Sequence, residues 1–257
     1  MVSLTLVVPV LNEEILLERF LVKTQNDLNE AKIDWELMLV NDGSTDNSLK
    51  IMNDFASGKS NVHVIDLEGN HGPGANLYKA YSMASKDVVA YATVDGFYDT
   101  KVLPSLLVHF EENDAVSAYR TDLVAHPGFR KLQTMVNVYL QRAMFPYEFK
   151  AVHTLQIHRR DFLQSVGLES KTPFLCSEML YKATELGFKI KEVGIEYLPR
   201  HAGKATGGNP KLIYRTMADI FYFWFKWFVL RRPMVPANLG LRTGGFRNLR
   251  PELTRAG

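Results

Sequence analysis

The sequence predicts an α/β fold with a mostly parallel, doubly wound sheet and helices on both faces. Two observations support this class: short apolar, β-branched runs alternate with segments of helical periodicity over residues 1–100, and most of these runs end in turns rich in Asn, Asp or Gly. Strands that alternate with helices at this spacing form parallel βαβ units. Such sheets bind ligands outside the carboxyl ends of their strands, so the turns after the strands are the expected location of a site.

Four strands are expected in the first hundred residues, with helices between them. The strands cover residues 4–10, 35–40, 62–67 and 88–93. The first is apolar without alternation, which is typical of a strand buried on both faces. A helix is expected after Asn12, whose side chain is suited to capping, and another from Ser44 or Thr45. A glycine-rich loop over residues 69–75 leads to a third helix over residues 76–84.

The second half of the chain is less regular. Helices are expected over residues 104–110, 129–145, 177–186 and 219–230, and strands over residues 115–119, 155–158 and 188–197. The last of these helices, DIFYFWFKWFVL, is almost wholly apolar and aromatic. No apolar run reaches the ~18 residues that a transmembrane helix requires.

The composition limits the environment and the partners. The chain has 257 residues, of which 46% are hydrophobic, and one cysteine, Cys176; it is long enough for one large core and has no internal disulfide, which suits a reducing compartment. The formal net charge is +2, but residues 231–257 contain six arginines and one glutamate. Such a tail suits an anionic surface of lipid or nucleic acid, and a solvated tail is the alternative.

Three polar motifs follow the first three predicted strands. They are PVLNE over residues 9–13, NDGSTD over residues 41–46 and NHGPGA over residues 70–75. At strand ends, Asn and Asp side chains are placed to hydrogen-bond a base or a ribose, and glycines let the backbone approach a phosphate. Each motif alone is also explained as a turn or a helix cap, so it is their order and shared position that favour a nucleotide site.

Together the three motifs resemble family 2 of the glycosyltransferases. The similarity runs from residue 4 to about residue 225 and is strongest in the first hundred residues. Within that family the chain is similar to the polyprenyl-phosphate, dolichol-phosphate-mannose-synthase-like branch, through Arg120 after a strand, IHRRDFL at 157–163, SEML at 177–180 and RHAG at 200–203. The resemblance implies a GT-A fold and the inverting transfer of a sugar from a nucleotide donor.

The resemblance also implies roles for individual residues. Residues of the first two motifs are expected to hold the nucleoside, and residues of the third to support its pocket; they are Pro9, Asn12, Glu13 and Asp42, and Asn70, Gly72 and Gly74 respectively. Arg120 and Arg200 are expected to counter phosphate charge during catalysis, with help from Lys204, because cationic side chains bind phosphate oxygens strongly.

The metal motif departs from the family pattern. The family places Asp-x-Asp after the fourth strand, whereas this chain has Thr93 and Asp95, and Phe97 stands where Gln is frequent. Asp95, with Asp99 just beyond it, is the remaining candidate ligand for Mg²⁺ or Mn²⁺, and substrate phosphates would supply other ligands. We therefore expect a divalent metal to bind weakly and to be dispensable in part.

The acceptor side departs from the branch at two positions. Lys150 stands where an acid is frequent, and Gln156 stands where an Arg is frequent. A phosphate acceptor is already ionised and needs no catalytic base, whereas a hydroxyl acceptor needs one. For a hydroxyl acceptor Glu178 is the candidate base, and a structural salt bridge is the alternative interpretation of this residue.

The C-terminal region is expected to contact a membrane. Residues 219–230 suit a helix in the bilayer interface, followed by Arg231 and Arg232; a buried helix or a contact within a homo-oligomer is the alternative. We divide the chain into a GT-A domain over residues 1–218, an aromatic helix over residues 219–230 and a basic tail over residues 231–257. Within the domain, residues 1–100 form the nucleotide-binding half and residues 101–218 the acceptor half.

These expectations define a function. The chain is expected to transfer a sugar from a nucleotide-sugar donor to a polyprenyl-phosphate-type lipid, as a peripheral protein at the cytoplasmic face of a membrane. Two alternatives stay open: transfer to a soluble hydroxyl acceptor, and nucleotide-sugar binding without catalysis, which Thr93 favours. Nucleic acid is not an expected partner, because only the arginine tail would serve it.

Overall fold

The structure, a computed structural model, describes residues 2–69, 71–95, 98–121, 128–150, 155–196 and 210–235. The strands are β1 (Leu4–Val10), β2 (Trp35–Asn41), β3 (Val62–Asp66), β4 (Val88–Tyr91), β5 (Ala115–Arg120), β6 (Gln156–Arg159) and β7 (Ile190–Ile195). The helices are α1 (Leu17–Glu30), α2 (Ser48–Ala56), α3 (Pro73–Met83), α4 (Leu103–Leu107), α5 (Gly128–Met144), α6 (Arg160–Ser165), α7 (Phe174–Glu185) and α8 (Pro210–Trp224).

One sheet contains all seven of these strands, in the order β3-β2-β1-β4-β6-β5-β7. The pairs β1–β2, β1–β4, β2–β3 and β5–β7 are parallel, and β6 is antiparallel to both of its neighbours, β4 and β5. Six carboxyl ends therefore lie at the same edge of the sheet. This confirms the α/β class predicted from the sequence, with a mostly parallel sheet.

The core lies on both faces of the sheet, which explains why β1 is apolar without alternation. Along β1, Leu6 and Val8 pack with residues of α1 and α2, whereas Val7 packs with residues of α3, α6 and α7. All three side chains have no solvent-exposed surface. Burial of both faces fixes the register of β1 against β2, from Leu4 opposite Trp35 to Val10 opposite Asn41.

Several helices begin at other residues than the sequence predicts. Asn12 does not cap α1; it has a left-handed backbone with φ of 55°, and α1 begins only at Leu17. The second helix begins at Ser48 rather than at residue 44 or 45. The third begins at Pro73, which is suited to a first helical turn because it lacks an N–H group that this turn leaves unbonded.

A third cluster of buried side chains lies where α7 and α8 meet and is almost wholly aromatic. It contains Phe145, Phe174, Tyr181, Phe223 and Trp227, and the rings of Phe145 and Tyr181 stack with centroids 4.7 Å apart. The helix predicted over residues 219–230 is thus the second half of α8, which begins at Pro210, together with a π-helical turn at Phe225–Val229. No helix in the described parts of the chain has the length and apolarity to cross a membrane.

Candidate active site

The carboxyl edge of the sheet brings together most of the residues that the sequence predicts for the site. Pro9, Asn12 and Glu13 lie at the end of β1 and in the loop after it, Asp42 follows β2, and Gly72 and Gly74 lie at the start of α3. Asp95 follows β4, and Arg120 is the last residue of β5, where it is half-buried. Asn70, Arg200 and Lys204 lie outside the described residues.

The loops after β1 and β2 are tied to each other by hydrogen bonds. Oδ1 of Asn12 accepts a hydrogen bond from the backbone N–H of Thr45 at 2.7 Å, and the N–H of Asn12 donates to Oγ of Ser44 at 3.1 Å. The N–H of Glu13 donates to Oγ of Ser48 at 2.9 Å. The polar side chains that suggested helix caps therefore hold the two loops of the site in one fixed arrangement.

Asp46 contributes to the same contact between loops. Its carboxylate accepts hydrogen bonds from the backbone N–H groups of Ser48 at 2.9 Å and of Glu14 at 3.1 Å. Partial burial acts to raise the pKa of this carboxyl, but the hydrogen bonds from Ser48 and Glu14 hold the pKa of Asp46 below its ordinary value. The carboxylate is therefore ionised at neutral pH and stabilises the loops in this form.

Asp42 ties the second motif to the third. It is buried, with 4% of its surface exposed, and its carboxylate accepts the backbone N–H of His71 at 2.7 Å and of Gly72 at 3.2 Å. These N–H groups precede α3, and the glycine pattern had suggested that they would bind a phosphate. In this structure they bind Asp42 instead, so the glycine-rich loop (residues 69–75) is oriented by the residue expected to hold the nucleoside.

Two glycines of the site are required by close packing of backbone segments. A Cβ atom on Gly74 would overlap the carbonyl carbon of Lys171 and lie 2.8 Å from its Cα atom. A Cβ atom on Gly43, which has φ of +78°, would lie 2.8 Å from the carbonyl carbon of Gly69. Gly74 therefore permits the close contact with Lys171, which is a reason for glycine at this position besides the predicted approach to phosphate.

Both remaining carboxylates of the metal motif, Asp95 and Asp99, bond to neighbouring side chains. Oγ1 of Thr93 donates a hydrogen bond to Oδ1 of Asp95. Asp99 caps a 3-10 turn and pairs with Lys23. Partial burial acts to raise the pKa of Asp99, but the hydrogen bond from Lys23 holds this pKa below its ordinary value. Among the described residues no three His, Cys, Asp or Glu side chains are grouped to hold a metal.

Glu178, the candidate base, lies inside the protein. It has no exposed surface, and its carboxylate accepts the backbone N–H groups of Glu169 and Ser170, both at 2.9 Å. It also pairs with the buried ammonium group of Lys182 at 2.8 Å. Its oxygens are thus engaged by groups that fold the chain, which favours the structural interpretation of this residue over catalysis.

Two further positions of the acceptor half differ in their surroundings. Lys150 is exposed, with its Nζ atom 3.2 Å from the hydroxyl of Tyr119 and 4.3 Å from the centre of the Tyr119 ring. Gln156 is buried and bonds to the carbonyl of Cys176 and to the ring of His158. Lys150 is therefore accessible to an anionic ligand, whereas the departure at Gln156 is compensated within the core.

One segment beside the site, residues 169–172 between α6 and α7, is not predicted by any sequence pattern. Its backbone at Lys171 packs against Gly74, and it is held by side chains distant along the chain. No local pattern predicts such contacts, because residues 74 and 171 are brought together only by the completed fold.

Comparison with known proteins places this geometry in a family. Residues 5–167 match the family model of glycosyl transferase family 2. An undecaprenyl-phosphate 4-deoxy-4-formamido-L-arabinose transferase of Proteus mirabilis is 30% identical over 143 residues, which are 55% of this chain and 44% of that protein. An uncharacterized glycosyltransferase of Mycobacterium tuberculosis is 23% identical over 206 residues, which are 79% of this chain and 88% of that protein. The chain thus spans less than half the length of the Proteus relative.

The fold has solved counterparts. A structure of glucosyl-3-phosphoglycerate synthase from Mycobacterium tuberculosis, in complex with Mn²⁺, UDP-glucose and phosphoglyceric acid, superposes with a TM-score of 0.67 at 17% identity. The alignment covers 87% of this chain and 80% of that one. It confirms the GT-A fold that the resemblance implied. With the family match over more than half of its residues, the chain belongs to family 2 of the glycosyltransferases.

Proposed function

We propose that this protein transfers a sugar, with inversion, from a nucleotide-sugar donor to a polyprenyl-phosphate-type lipid. An oxygen of the lipid phosphate attacks the anomeric carbon on the face opposite the donor diphosphate. As the new carbon–oxygen bond forms, the bond to the diphosphate breaks and its electron pair leaves with the nucleoside diphosphate. The acceptor oxygen is already ionised, so no proton is transferred in this step.

The donor is assigned to the carboxyl edge of β1, β2 and β4. Doubly wound sheets bind nucleotides at this edge, and the loops with Asn12 and Asp42 are fixed there by hydrogen bonds before any ligand binds. Pre-formed loops lower the entropic cost of binding. We assign Pro9, Asn12, Glu13 and Asp42 to the nucleoside, and the glycine-rich loop to the support of Asp42.

The environment of Glu178 is the main observation in favour of a phosphate acceptor over a hydroxyl acceptor. A hydroxyl acceptor needs a base within hydrogen-bond reach, and the candidate carboxylate is buried and bonded to Lys182 and to two backbone N–H groups. A phosphate acceptor makes no such demand. The name of the Proteus mirabilis relative supports the same class, since that protein is an undecaprenyl-phosphate transferase.

Fixed cations are assigned to the leaving diphosphate, which gains negative charge in the transition state. Among the described residues we assign this task to Arg120, at the end of β5; Arg200 and Lys204 are further candidates outside them. A divalent metal held by Asp95 and substrate phosphates would add to the neutralisation of charge. Because Thr93 stands in place of a carboxylate of the metal motif, we propose that this contribution is auxiliary.

The exposed side of α8 and of the turn after it supports a location at a membrane surface. Large apolar side chains that are about half exposed or more follow one another along it; they are Tyr214, Phe221, Tyr222, Phe225, Val229 and Leu230. Arg231 and Arg232 are exposed directly after this apolar side. Aromatic and cationic groups in this arrangement are favoured at the bilayer interface. We propose that residues 219–230 and the basic tail over residues 231–257 hold the GT-A domain (residues 1–218) at the cytoplasmic face.

A transfer assay with labelled UDP-sugars and GDP-sugars tests the proposal. Undecaprenyl phosphate in vesicles and water-soluble acceptors are offered in parallel, with Mn²⁺ and with EDTA. The label is expected in the lipid fraction, with a reduced but measurable rate in EDTA. Asp95→Ala should lower the rate, whereas Asp54→Ala, which removes an exposed acid paired with Lys50, should not.

Two other outcomes correspond to the alternative functions. Label that enters only water-soluble product would assign a soluble hydroxyl acceptor and contradict the lipid. Nucleotide binding without transfer to any acceptor would identify a binding protein, the outcome that Thr93 in place of a carboxylate would explain.

A further inference from the structure

The segment over residues 169–172, here called the anchor segment, lies against the glycine-rich loop. The contact is made by the main chain, because the backbone of Lys171 occupies the space in which a Cβ atom of Gly74 would lie. The carbonyl oxygen of Lys171 is also 3.9 Å from the Cβ position of Gly72. Any displacement of the anchor segment therefore removes packing support from the start of α3.

The anchor segment is held from its other side by α8. The hydroxyls of Ser170 and Thr172 both donate to Oδ2 of Asp219, at 2.6 and 2.8 Å. Lys226, in the turn after α8, forms an ion pair with Glu169. The side chains on both sides of Lys171 are thus bound to one carboxylate, which leaves the backbone of Lys171 turned toward Gly74.

This arrangement forms a continuous path of contacts from α8 to the predicted nucleoside residue. Asp219 binds the anchor segment, the anchor segment packs on Gly74, and the N–H groups of His71 and Gly72 in the same loop bind Asp42. Each link is a hydrogen bond or a backbone contact between residues that are far apart in sequence.

We propose that Asp219 is a positioning residue for the donor site, which acts by holding the anchor segment against the glycine-rich loop. This inference rests on the assignment of the donor to that edge of the sheet. Asp219 acts through the anchor segment, to which it is bonded at Ser170 and Thr172, and thereby sets the position of the loop that orients Asp42. α8 also has the exposed apolar side that we assign to the membrane. The same helix therefore contacts the membrane and supports the donor loop through Asp219.

Amide hydrogen exchange tests the structural link independently of any ligand. In Asp219→Ala two hydroxyls lose their acceptor, which at about 1 kcal/mol per hydrogen bond corresponds to an acceleration of roughly 5- to 30-fold in local opening. The acceleration is expected at residues 169–172 and also at His71, Gly72 and the first turn of α3. Asp219→Asn, which keeps an acceptor oxygen, should restore most of the protection.

A matched control is Glu185→Ala, at the end of the neighbouring helix α7. It removes a carboxylate that accepts a hydrogen bond from the hydroxyl of Tyr147 at 2.9 Å. It should leave exchange at residues 71–76 unchanged. Acceleration confined to residues 169–172 in Asp219→Ala would overturn the inference. If Asp219→Ala fails to fold, the double variant Ser170→Ala with Thr172→Val leaves α8 unchanged and is held to the same criteria. It removes both hydrogen bonds to Asp219, together with the bonds that the two hydroxyls accept from the N–H groups of Thr172 and Phe174.

Donor binding gives the functional readout. In Asp219→Ala the KM for the nucleotide-sugar, or the Kd for the better of UDP and GDP, should rise about tenfold while kcat changes less than threefold. Equal donor affinity in the wild type and in a folded Asp219→Ala would contradict the positioning role. A wild-type protein that binds no nucleotide would instead contradict the proposed function, and the exchange experiment would still decide the link between α8 and the loop.

Discussion

The hydroxyl of Thr93 donates a hydrogen bond to Oδ1 of Asp95, so the residue that replaces the first carboxylate of the metal motif is bonded to the carboxylate that remains. This bond occupies one lone pair of Asp95 and adds no negative charge to the site. A carboxylate at position 93 would supply an anionic oxygen and would remove this hydrogen bond from Asp95.

We therefore expect Thr93→Asp to strengthen metal binding. Mn²⁺ prefers anionic oxygen ligands, and the gain should be tenfold or more in the affinity for Mn²⁺ measured by calorimetry in the presence of UDP or GDP. Thr93→Val removes the hydrogen bond without adding a carboxylate and should change the affinity little. A Thr93→Asp protein with unchanged Mn²⁺ affinity would show that Asp95 is not at the metal position.

Asp42→Ala should weaken nucleotide binding by roughly 10- to 150-fold, because it removes a charge-assisted hydrogen bond of about 1.5–3 kcal/mol. The same change releases the N–H groups of His71 and Gly72, so faster amide exchange is expected in the glycine-rich loop. Titration calorimetry with UDP and GDP measures the affinity, with Asp54→Ala as the control. Unchanged affinity for the better ligand would disprove the nucleoside assignment.

Gly74→Ala should destabilise the protein although its backbone conformation is open to alanine. The added Cβ atom would overlap the backbone of Lys171, and such overpacking costs about 1–3 kcal/mol. Urea unfolding gives the free energy, and donor affinity should fall as well. Gly58→Ala is the comparison: it has a positive φ and open space around it, so it should cost stability at about 1 kcal/mol without affecting the donor.

His158 makes the stability of the fold sensitive to acid. Burial lowers the pKa of this ring from 6.5 to about 3, so the unfolded chain takes up a proton at higher pH than the folded protein does. The contribution of neutral His158 to the free energy of unfolding is therefore fully present above pH 6.5. It decreases as the pH falls toward 3, by about 1.4 kcal/mol per pH unit.

The measurement is urea unfolding at pH values between 6.5 and 5. In this range His158 contributes more to the pH dependence of stability than carboxyl groups with ordinary pKa values do. His158→Gln should flatten this pH dependence, whereas His109→Gln, which alters a half-buried residue of a 3-10 turn, should preserve it. A slope that is the same in His158→Gln and in the wild type would contradict the assignment of a buried, neutral ring.

Membrane binding should depend on the exposed side of α8 and be separable from folding. Phe221→Ser with Phe225→Ser removes two half-exposed rings and should reduce flotation with anionic liposomes at low and high salt. Removal of the arginines after residue 240 should reduce flotation at low salt alone, because screening shortens to ~3 Å at 1 M salt. Wild-type protein that remains in the soluble fraction at low salt would contradict the membrane location.

Deletion of the chain from residue 219 is not an equivalent experiment. It would also remove Ile220, Phe223 and Trp227, which are buried in the aromatic cluster beside α7, and loss of large apolar side chains from a core costs several kcal/mol. The surface variants avoid this loss.

The parts of the fold that the sequence predicted well are those set by burial on two faces. The bounds of β1 agree to the residue and those of β2 within one, because an apolar run between polar turns leaves little choice of register. The starts of α1 and α2 were wrong, since Asn12 and Ser44 bond to each other's loops rather than to their own helices. Short-range rules assign such side chains to caps, and the competing long-range bond has no local signature.

The same difference separates the two sides of the candidate site. Residues at strand ends could be placed because topology brings the carboxyl ends of parallel strands to one edge. Three other features could not be predicted, since each depends on contacts that only the folded chain creates. They are the bonding of Asp42 to the glycine-rich loop, the burial of Glu178 and the support from Asp219. The assignment of residues to substrates stays a prediction on both sides.

The antiparallel strand β6 has a consequence for the order in which the chain is made. β4 is completed at Tyr91, but its second neighbour in the sheet, at Gln156–Arg159, is synthesised more than sixty residues later. At 5–20 residues per second this delay is several seconds, during which the first four strands expose an unpaired, apolar edge at β4. An emerging chain in that state is prone to aggregate through this edge, so a chaperone that shields β4 on the ribosome should raise the yield of folded protein more than one that acts after release.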